Sequence, residues 1–89
     1  MYVVYILRCS DNTLYTGITN DLDRRVAMHN KGTGAKYTHS RLPVRVVYME
    51  QCADRSAALR REAAIKKLTR HEKLELIEGK NNKNEFSQG

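Results

Sequence analysis

Apolar residues fill the first strand-like stretch of the chain almost without interruption. Residues 2–8 read Tyr-Val-Val-Tyr-Ile-Leu-Arg, so both alternating sets of side chains are apolar. A strand of that kind is buried on both faces and lies inside its sheet. Turn residues follow at 10–12, and residues 13–18 form a second strand-like stretch. The pattern predicts a β-hairpin whose first strand is central in the sheet.

A helix follows the hairpin. Asn20-Asp21 can cap it, and it covers residues 22–31 before Gly32 ends it. One face of this helix combines apolar and polar side chains at i, i+4 and i+7 spacing: Leu22, Val26 and His29, with Arg25 beside them. An arginine and a histidine there fit two interpretations, which are side chains at the edge of the core and members of a functional site.

The second half of the chain supplies one more strand and two more helices. After a loop, residues 44–52 read as a strand, and Asp54 or Ser56 can cap a helix that continues to about Leu68. A capping box starts a short helix over 69–77, and the polar residues 79–89 predict a flexible tail. The order β-β-α-β-α-α predicts an α/β (α+β) domain over residues 1–78, a small three-stranded antiparallel sheet flanked by helices.

One glutamate interrupts the apolar side of the 54–68 helix. Ala58, Leu59 and Ile65 define the predicted inner face, and Glu62 falls between them. Lys66 follows four residues later, at the spacing of a helical ion pair. A carboxylate among apolar neighbours is costly unless a cation meets it. Glu62 is therefore either half of a surface ion pair or a ligand for a bound cation.

Charge narrows the classes of partner. The 89 residues contain 16 Lys and Arg against 10 Asp and Glu, which gives a net charge of +6. This excess favours a polyanion such as nucleic acid. An acidic protein partner fits the charge as well. No apolar stretch of about 20 residues predicts a membrane span. Without an export signal, the sequence predicts a cytoplasmic protein in which Cys9 and Cys52 stay reduced and form no disulfide with a partner.

Several of these residues occur together in a known family. The chain resembles the GIY-YIG nucleases, in particular their small standalone bacterial members. The matching positions are Val3-Val4-Tyr5, Tyr15-Thr16-Gly17, Thr19, Leu22, Arg25, His29, Gly34-Ala35-Lys36-Tyr37-Thr38 and the helical Glu62. Val3, Val4 and Thr16 depart from the motif letters, and no Asn follows Glu62 before residue 77, where larger members often carry one.

The resemblance implies phosphodiester hydrolysis with catalytic residues Tyr5, Tyr15, Arg25, His29 and Glu62. Glu62 would bind one Mg²⁺ or Mn²⁺, a cation that takes oxygen ligands and keeps several waters. Arg25 would hold the scissile phosphate. The tyrosines would orient the attacking water, and either could be the general base. His29 would accept or relay a proton.

The implied partner is DNA, with RNA left open. The candidate contacts to nucleic acid are Gly17, Lys31, Lys36, Tyr37, His39, Arg41 and Lys66. Gly17 is included because a glycine permits close approach of another backbone. The implied process is DNA repair, recombination or turnover. The alternative, favoured by the missing Asn, is a basic nucleic-acid-binding module of the same fold with little or no catalysis.

Overall fold

The structure, a computed structural model, describes residues 1–79 of the chain. The predicted tail lies, from residue 80 onward, outside the described residues. Seven elements follow in the order β1 (Tyr2–Arg8), β2 (Leu14–Thr19), α1 (Leu22–Asn30), α2 (Lys36–His39), β3 (Arg45–Cys52), α3 (Arg55–Lys66) and α4 (Arg70–Glu78). Except for the short α2, this is the predicted order.

The sheet is antiparallel with the strand order β2-β1-β3, so β1 is central as predicted. Tyr5 lies opposite Gly17 on one side and Met49 on the other. The register with β3 shifts between Ile6 and Leu7. β2 forms a free edge of the sheet, and it carries Tyr15 beside Tyr5 of β1. The site described below lies at this edge.

Both faces of β1 are covered, which confirms the prediction from its two apolar parities. Val4 and Ile6 pack beneath α3 and α4 with Ala58, Ile65 and Leu76. The other face carries a second cluster that α1 covers. Its members are Tyr5, Leu7, Cys9 and Val44, with Tyr15, Leu22, Val26 and Leu42 packed against them. The two clusters form separate apolar layers on the two sides of a single sheet.

The helices begin at the predicted caps. Asp21 accepts a hydrogen bond from the Arg24 amide, and Asp54 accepts one from the Ala57 amide at 2.8 Å. Thr69 and Glu72 form both hydrogen bonds of a capping box. These side chains satisfy backbone donors that the first turn of a helix leaves unpaired.

Two local predictions were wrong. The segment 32–42 is not entirely loop, because Lys36–His39 forms one helical turn. Leu59 does not belong to the inner face of α3, since it is 38% exposed. Ala58 and Ile65 are fully buried, and Glu62 at i+4 from Ala58 shares their stripe, whereas Leu59 is rotated by one residue around the helix.

The loop between α1 and β3 is closed by one side chain. The Asn30 amide donates to the Val44 carbonyl at 3.1 Å and accepts from the Val44 amide at 2.8 Å. Asn30 thereby pairs with Val44 much as a neighbouring strand would. Cys9 and Cys52 form no disulfide. Within residues 1–79, no helix is both long and apolar enough to cross a bilayer.

Candidate active site

The hydroxyl of Tyr5 is the centre of a buried polar cluster. Tyr5 is only 1% exposed, and its Oη lies 3.1 Å from Nε2 of His29, which is fully buried. Arg25 lies close enough to this hydroxyl to oppose the rise in its pKa, and the charge of Glu62 adds to that rise. Tyr15 packs alongside, with its ring centroid 6.4 Å from that of Tyr5. The structure thus brings together all five residues that the resemblance implies to be catalytic.

The hydrogen bonds around His29 determine which ring nitrogen carries the proton. Thr38 Oγ1 donates its only hydrogen to the Ala35 carbonyl at 2.9 Å, so it must accept from Nδ1 of His29, 2.8 Å away. The Ala35 amide also donates toward Nδ1, but at 3.4 Å this bond is the longest of the three, so we assign the tautomer from the two Thr38 bonds. Nε2 therefore offers its lone pair to the Tyr5 hydroxyl, which donates to it.

Burial and charge keep both groups of this pair neutral. Burial, followed by the positive charge of Arg25, lowers the pKa of His29 below 6.5. Burial raises the pKa of Tyr5 above 10.0. Arg25 opposes that rise in the pKa, whereas Tyr15 and Glu62 add to it. At neutral pH the pair is a protonated phenol that donates to an uncharged imidazole. Such a pair can pass a proton from oxygen to nitrogen.

Gly17 makes room for Tyr5, its cross-strand partner. A Cβ at this position would lie 2.7 Å from Tyr5 Oη, 2.8 Å from Tyr5 Cζ and 3.1 Å from Tyr15 Cε2. The group that approaches Gly17 closely is therefore the side chain of Tyr5, whereas the sequence predicted another backbone. The expectation of a contact between Gly17 and nucleic acid needs correction, because Gly17 is buried beneath that ring.

Glu62 occupies the buried stripe of α3 and keeps part of its carboxylate accessible. Its side chain is 18% exposed, and Oε2 lies 3.2 Å from Nζ of Lys66. Residues 1–79 contain no group of three or more His, Cys, Asp or Glu side chains arranged to hold a metal ion. A single, partly accessible carboxylate fits a hard cation that keeps most of its ligands as water, and Lys66 is a movable counterion for it.

A ladder of rings connects the polar cluster to the surface. Tyr15 lies edge-on to His29, with ring centroids 5.4 Å apart, and its ring stacks with that of Tyr37 at 5.9 Å. The guanidinium of Arg41 lies 4.3 Å from the Tyr37 ring centroid, a cation–π contact. The ladder fixes the orientation of Tyr15 and connects α2 to the edge of the sheet.

An open groove of about 380 Å³ lies across the free edge of β2. Two tyrosines and two lysines from four different elements contribute to its walls. The residues are Leu14, Tyr15 and Thr16 of β2, Tyr37 of α2, Lys66 of α3 and Lys73 of α4. Arg25 lines a neighbouring recess with Thr19 and Arg24. Aromatic and cationic side chains in one groove favour a nucleic-acid strand as its occupant.

The other predicted contacts lie outside this groove. Lys31 and Lys36 are exposed, and His39 donates from Nδ1 to the Gly32 carbonyl at 3.0 Å. Arg41 lies 3.5 Å from the Asp11 carboxylate and is reached from the groove only through Tyr37. Of the candidate nucleic-acid contacts, Tyr37 and Lys66 line the groove beside the buried cluster.

Sequence reasoning missed three residues of the site. Thr38 fixes the His29 tautomer, and Lys73 lines the groove. Gly34 lies against His29, since a Cβ there would be 2.8 Å from the His29 α-carbon. Only the segment 34–38, as part of the resemblance, pointed to Gly34 and Thr38. Nothing in the periodicity of a polar loop singles out one threonine as buried.

The sequence of the chain matches a protein family and individual relatives. Residues 1–75 match the sequence profile described as the GIY-YIG catalytic domain. A UPF0213 protein of Clostridium perfringens is 53% identical over 96% of this chain and 91% of its own length. A UPF0213 protein of Haloquadratum walsbyi is 54% identical over 86% of each.

Two solved structures have the same fold. The solution structure of a UPF0213 protein from Bacillus halodurans has a TM-score of 0.58 and 42% identity, and covers 93% of this chain and 89% of its own. A solution structure of a protein from E. faecalis has a TM-score of 0.60 and 36% identity, with coverage of 98% and 94%. Since the profile match spans almost all of the described residues, the chain belongs to the GIY-YIG family of nuclease domains, together with the small UPF0213 proteins.

Proposed function

We propose that this protein is a metal-dependent nuclease that hydrolyses phosphodiester bonds of DNA in repair, recombination or turnover. The observation that carries the proposal is the buried hydroxyl of Tyr5, which hydrogen-bonds His29 while the charges of Arg25 and Glu62 act on its pKa. A proton acceptor, a cation that can bind phosphate and a carboxylate thus all influence one oxygen. No structural requirement of the sheet explains that combination, because an apolar residue would fill the space at lower cost.

Tyr5 acts as a proton relay in this mechanism. Its raised pKa disfavours a free phenolate at neutral pH. As the attacking water transfers a proton to Oη, Tyr5 transfers its own proton to Nε2 of His29, 3.1 Å away. The hydroxide bonds to phosphorus, and the bond from phosphorus to the leaving oxygen breaks. The imidazolium of His29 then holds the proton of the attacking water, and the leaving oxygen takes a proton from solvent. The His29 tautomer set by Thr38 leaves Nε2 free to receive it.

The other polar residues hold the substrate. Arg25 hydrogen-bonds a non-bridging phosphate oxygen and stabilises the charge that develops there. Tyr15, oriented by its contacts with His29 and Tyr37, holds the attacking water. Lys66 leaves Glu62 for a phosphate when DNA enters the groove. Glu62 would hold a divalent cation, which when bound supplies positive charge near the scissile phosphate and the leaving oxygen.

The decisive experiment compares wild type with Glu62→Gln and Glu62→Ala. Branched, single-stranded and duplex DNA are incubated with each protein and with Mg²⁺ or Mn²⁺. We expect wild type to cleave, both variants to lose cleavage, and all three to retain most of their DNA affinity. Glu75→Gln is the matched control, because it removes a partly exposed carboxylate that, within residues 1–79, forms its ion pair with His71 on α4. Cleavage that survives in the Glu62 variants, or in excess EDTA, contradicts the mechanism.

A second candidate function is nucleic-acid binding without turnover. It is favoured by the 3.2 Å contact between Lys66 and Glu62, which neutralises the carboxylate. This alternative predicts DNA affinity that falls steeply with salt and no cleavage by wild type under any metal condition. Removing the lysine with Lys66→Met then separates the two functions, since a nuclease keeps metal-dependent cleavage when Glu62 is released from its counterion.

A further inference from the structure

A second polar recess lies at the end of the sheet beyond Tyr5. It has a volume of about 370 Å³ and is lined by residues from the end of β1, the following turn and the start of β3. The residues are Arg8, Cys9, Ser10, Asn12, Pro43, Val44 and Arg45. None of them belongs to the polar cluster around Tyr5. The volume lies within the roughly 300–1,000 Å³ of small-ligand sites and accommodates a phosphate with its sugar.

Two arginines of this recess face each other across the sheet. Arg8 and Arg45 are register partners on β1 and β3. Like charges in directly opposite positions of neighbouring strands repel each other. Among residues 1–79, neither guanidinium forms an ion pair with a carboxylate. The strand pairing therefore concentrates positive charge that the described part of the protein does not neutralise.

Arg8 also has an unused hydrogen-bond donor. Its Nη1 donates to Asn12 Oδ1 at 3.3 Å, whereas Nε is buried and has no acceptor within the described residues. A buried donor without a partner is unfavourable. An anion in the recess would neutralise the Arg8–Arg45 repulsion, and a turn of the Arg8 side chain toward it would give Nε an acceptor.

The carboxylate of the same turn, Asp11, is already engaged. It accepts from the Thr13 hydroxyl at 2.6 Å and from the Thr13 amide at 3.2 Å, and Arg41 lies 3.5 Å from its other oxygen. A further guanidinium reaches the same turn, because Arg70 donates to the Asn12 carbonyl at 2.9 Å. The turn therefore carries an excess of positive charge.

We propose that this recess binds a backbone phosphate of the nucleic acid, at a position outside the bond that is cleaved. The identity of the polymer rests on the proposed function. The two guanidinium groups hold the phosphate oxygens, Ser10 and Asn12 offer further donors, and Pro43 and Val44 pack against the sugar. Arg8 follows Tyr5 by three residues in β1, about 10 Å along the strand. The contact thus fixes where along the DNA the bond is cut.

Titration with inorganic phosphate, followed by NMR of the ¹⁵N-labelled full chain, tests the site directly. We expect the amide signals of Ser10, Asn12 and Arg45 to shift together and to saturate. The double variant R8Q/R45Q should lose that response. The control R55Q/R60Q, which removes two exposed arginines of α3, should retain it. If R8Q/R45Q does not fold, Arg45→Gln alone, at an exposed position, should weaken the response. A response that does not saturate, or that is equal in all variants, overturns the proposal.

Oligonucleotides with single methylphosphonate linkages identify the bound phosphate. One neutralised linkage, outside the cleaved bond, should weaken wild-type binding and leave R8Q/R45Q unaffected. We expect R8Q/R45Q to bind unmodified DNA about tenfold more weakly. The slope of log affinity against log salt should fall by about one, and the bonds that R8Q/R45Q cuts should spread over neighbouring positions of the DNA. Identical linkage profiles for wild type and R8Q/R45Q overturn the proposal.

The two proposals fail separately in these experiments. A wild-type protein that binds phosphate in the recess and cleaves no DNA contradicts only the nuclease function. A protein that cleaves DNA while the recess does not respond to phosphate contradicts only the second site.

Discussion

Gly17→Ala is the smallest substitution that fills the space in which Tyr5 lies. The added Cβ would be 2.8 Å from Tyr5 Cζ and 2.7 Å from Oη. Carbon atoms in contact prefer about 3.5–4.0 Å, so the ring has to withdraw by roughly 0.7–1.2 Å. Tyr5 is buried and hydrogen-bonded to His29, so it cannot swing freely into solvent. Overpacking of this kind lowers the free energy of unfolding by about 1–3 kcal/mol.

The same displacement of the Tyr5 ring should also slow cleavage. Withdrawal of the ring changes the 3.1 Å distance between Tyr5 Oη and His29 Nε2, along which the proposed proton transfer runs. A misplacement of about 1 Å can reduce a rate by roughly a hundredfold. Single-turnover cleavage with saturating protein measures that rate, and urea denaturation followed by circular dichroism measures the stability.

Tyr5→Phe provides the control for this prediction. It removes the hydroxyl and keeps the ring, so it should abolish the relay without adding a Cβ at residue 17. If Gly17→Ala acts by displacing the hydroxyl, the double variant cleaves no more slowly than Tyr5→Phe. A Gly17→Ala variant with the rate and stability of wild type would refute the reasoning. So would a double variant whose loss of rate is the product of the losses in Gly17→Ala and Tyr5→Phe.

Three further predictions concern stability. Because the folded protein holds the pKa of His29 below 6.5, the unfolded chain takes up that proton first as the pH falls. The free energy of unfolding should therefore fall as the pH drops below 6.5, and His29→Gln should flatten this fall in urea titrations. Thr38→Val leaves the Nδ1 hydrogen of His29 unpaired and should cost about 1–3 kcal/mol, whereas Thr38→Ser should restore most of it; a valine variant as stable as wild type would contradict the hydrogen-bond assignment. Ile65→Ala empties a fully buried position and should cost about 2–5 kcal/mol in thermal or urea unfolding, against under about 1 kcal/mol for Leu59→Ala, which is 38% exposed; equal losses would contradict the assigned face of α3.

The sheet and the helix starts could be predicted because their signals are local. Two apolar parities place β1 at the centre, and the capping side chains lie within three residues of the amides that they bind. The position of Glu62 on a buried stripe also follows from helical spacing. Leu59 was misplaced because neighbouring apolar residues on a helix point about 100° apart, and only one of them can face the sheet.

The short helix α2 and the role of Thr38 depend on tertiary contacts. Thr38 can be buried because His29, nine residues earlier in the chain, donates a hydrogen bond to its hydroxyl. The stacking of Tyr37 on Tyr15 likewise joins a loop to a strand far away in sequence. Neither the polarity nor the spacing of residues 32–42 contains that information. The resemblance to a family marked the segment, and only the structure identifies which atoms it contributes.

The double hydrogen bond between Asn30 and Val44 has a consequence for how this fold can diversify. It fastens both ends of the connecting segment to rigid elements, so most of the entropy of closing the loop is lost at one point in the structure. Residues between the fastened ends that do not contact His29 or Tyr15 can then change in chemistry without shifting the sheet. The exposed part of this segment is therefore where a chain of this size can acquire a new preference while Gly34, Tyr37 and Thr38 keep the proton-transfer pair in place.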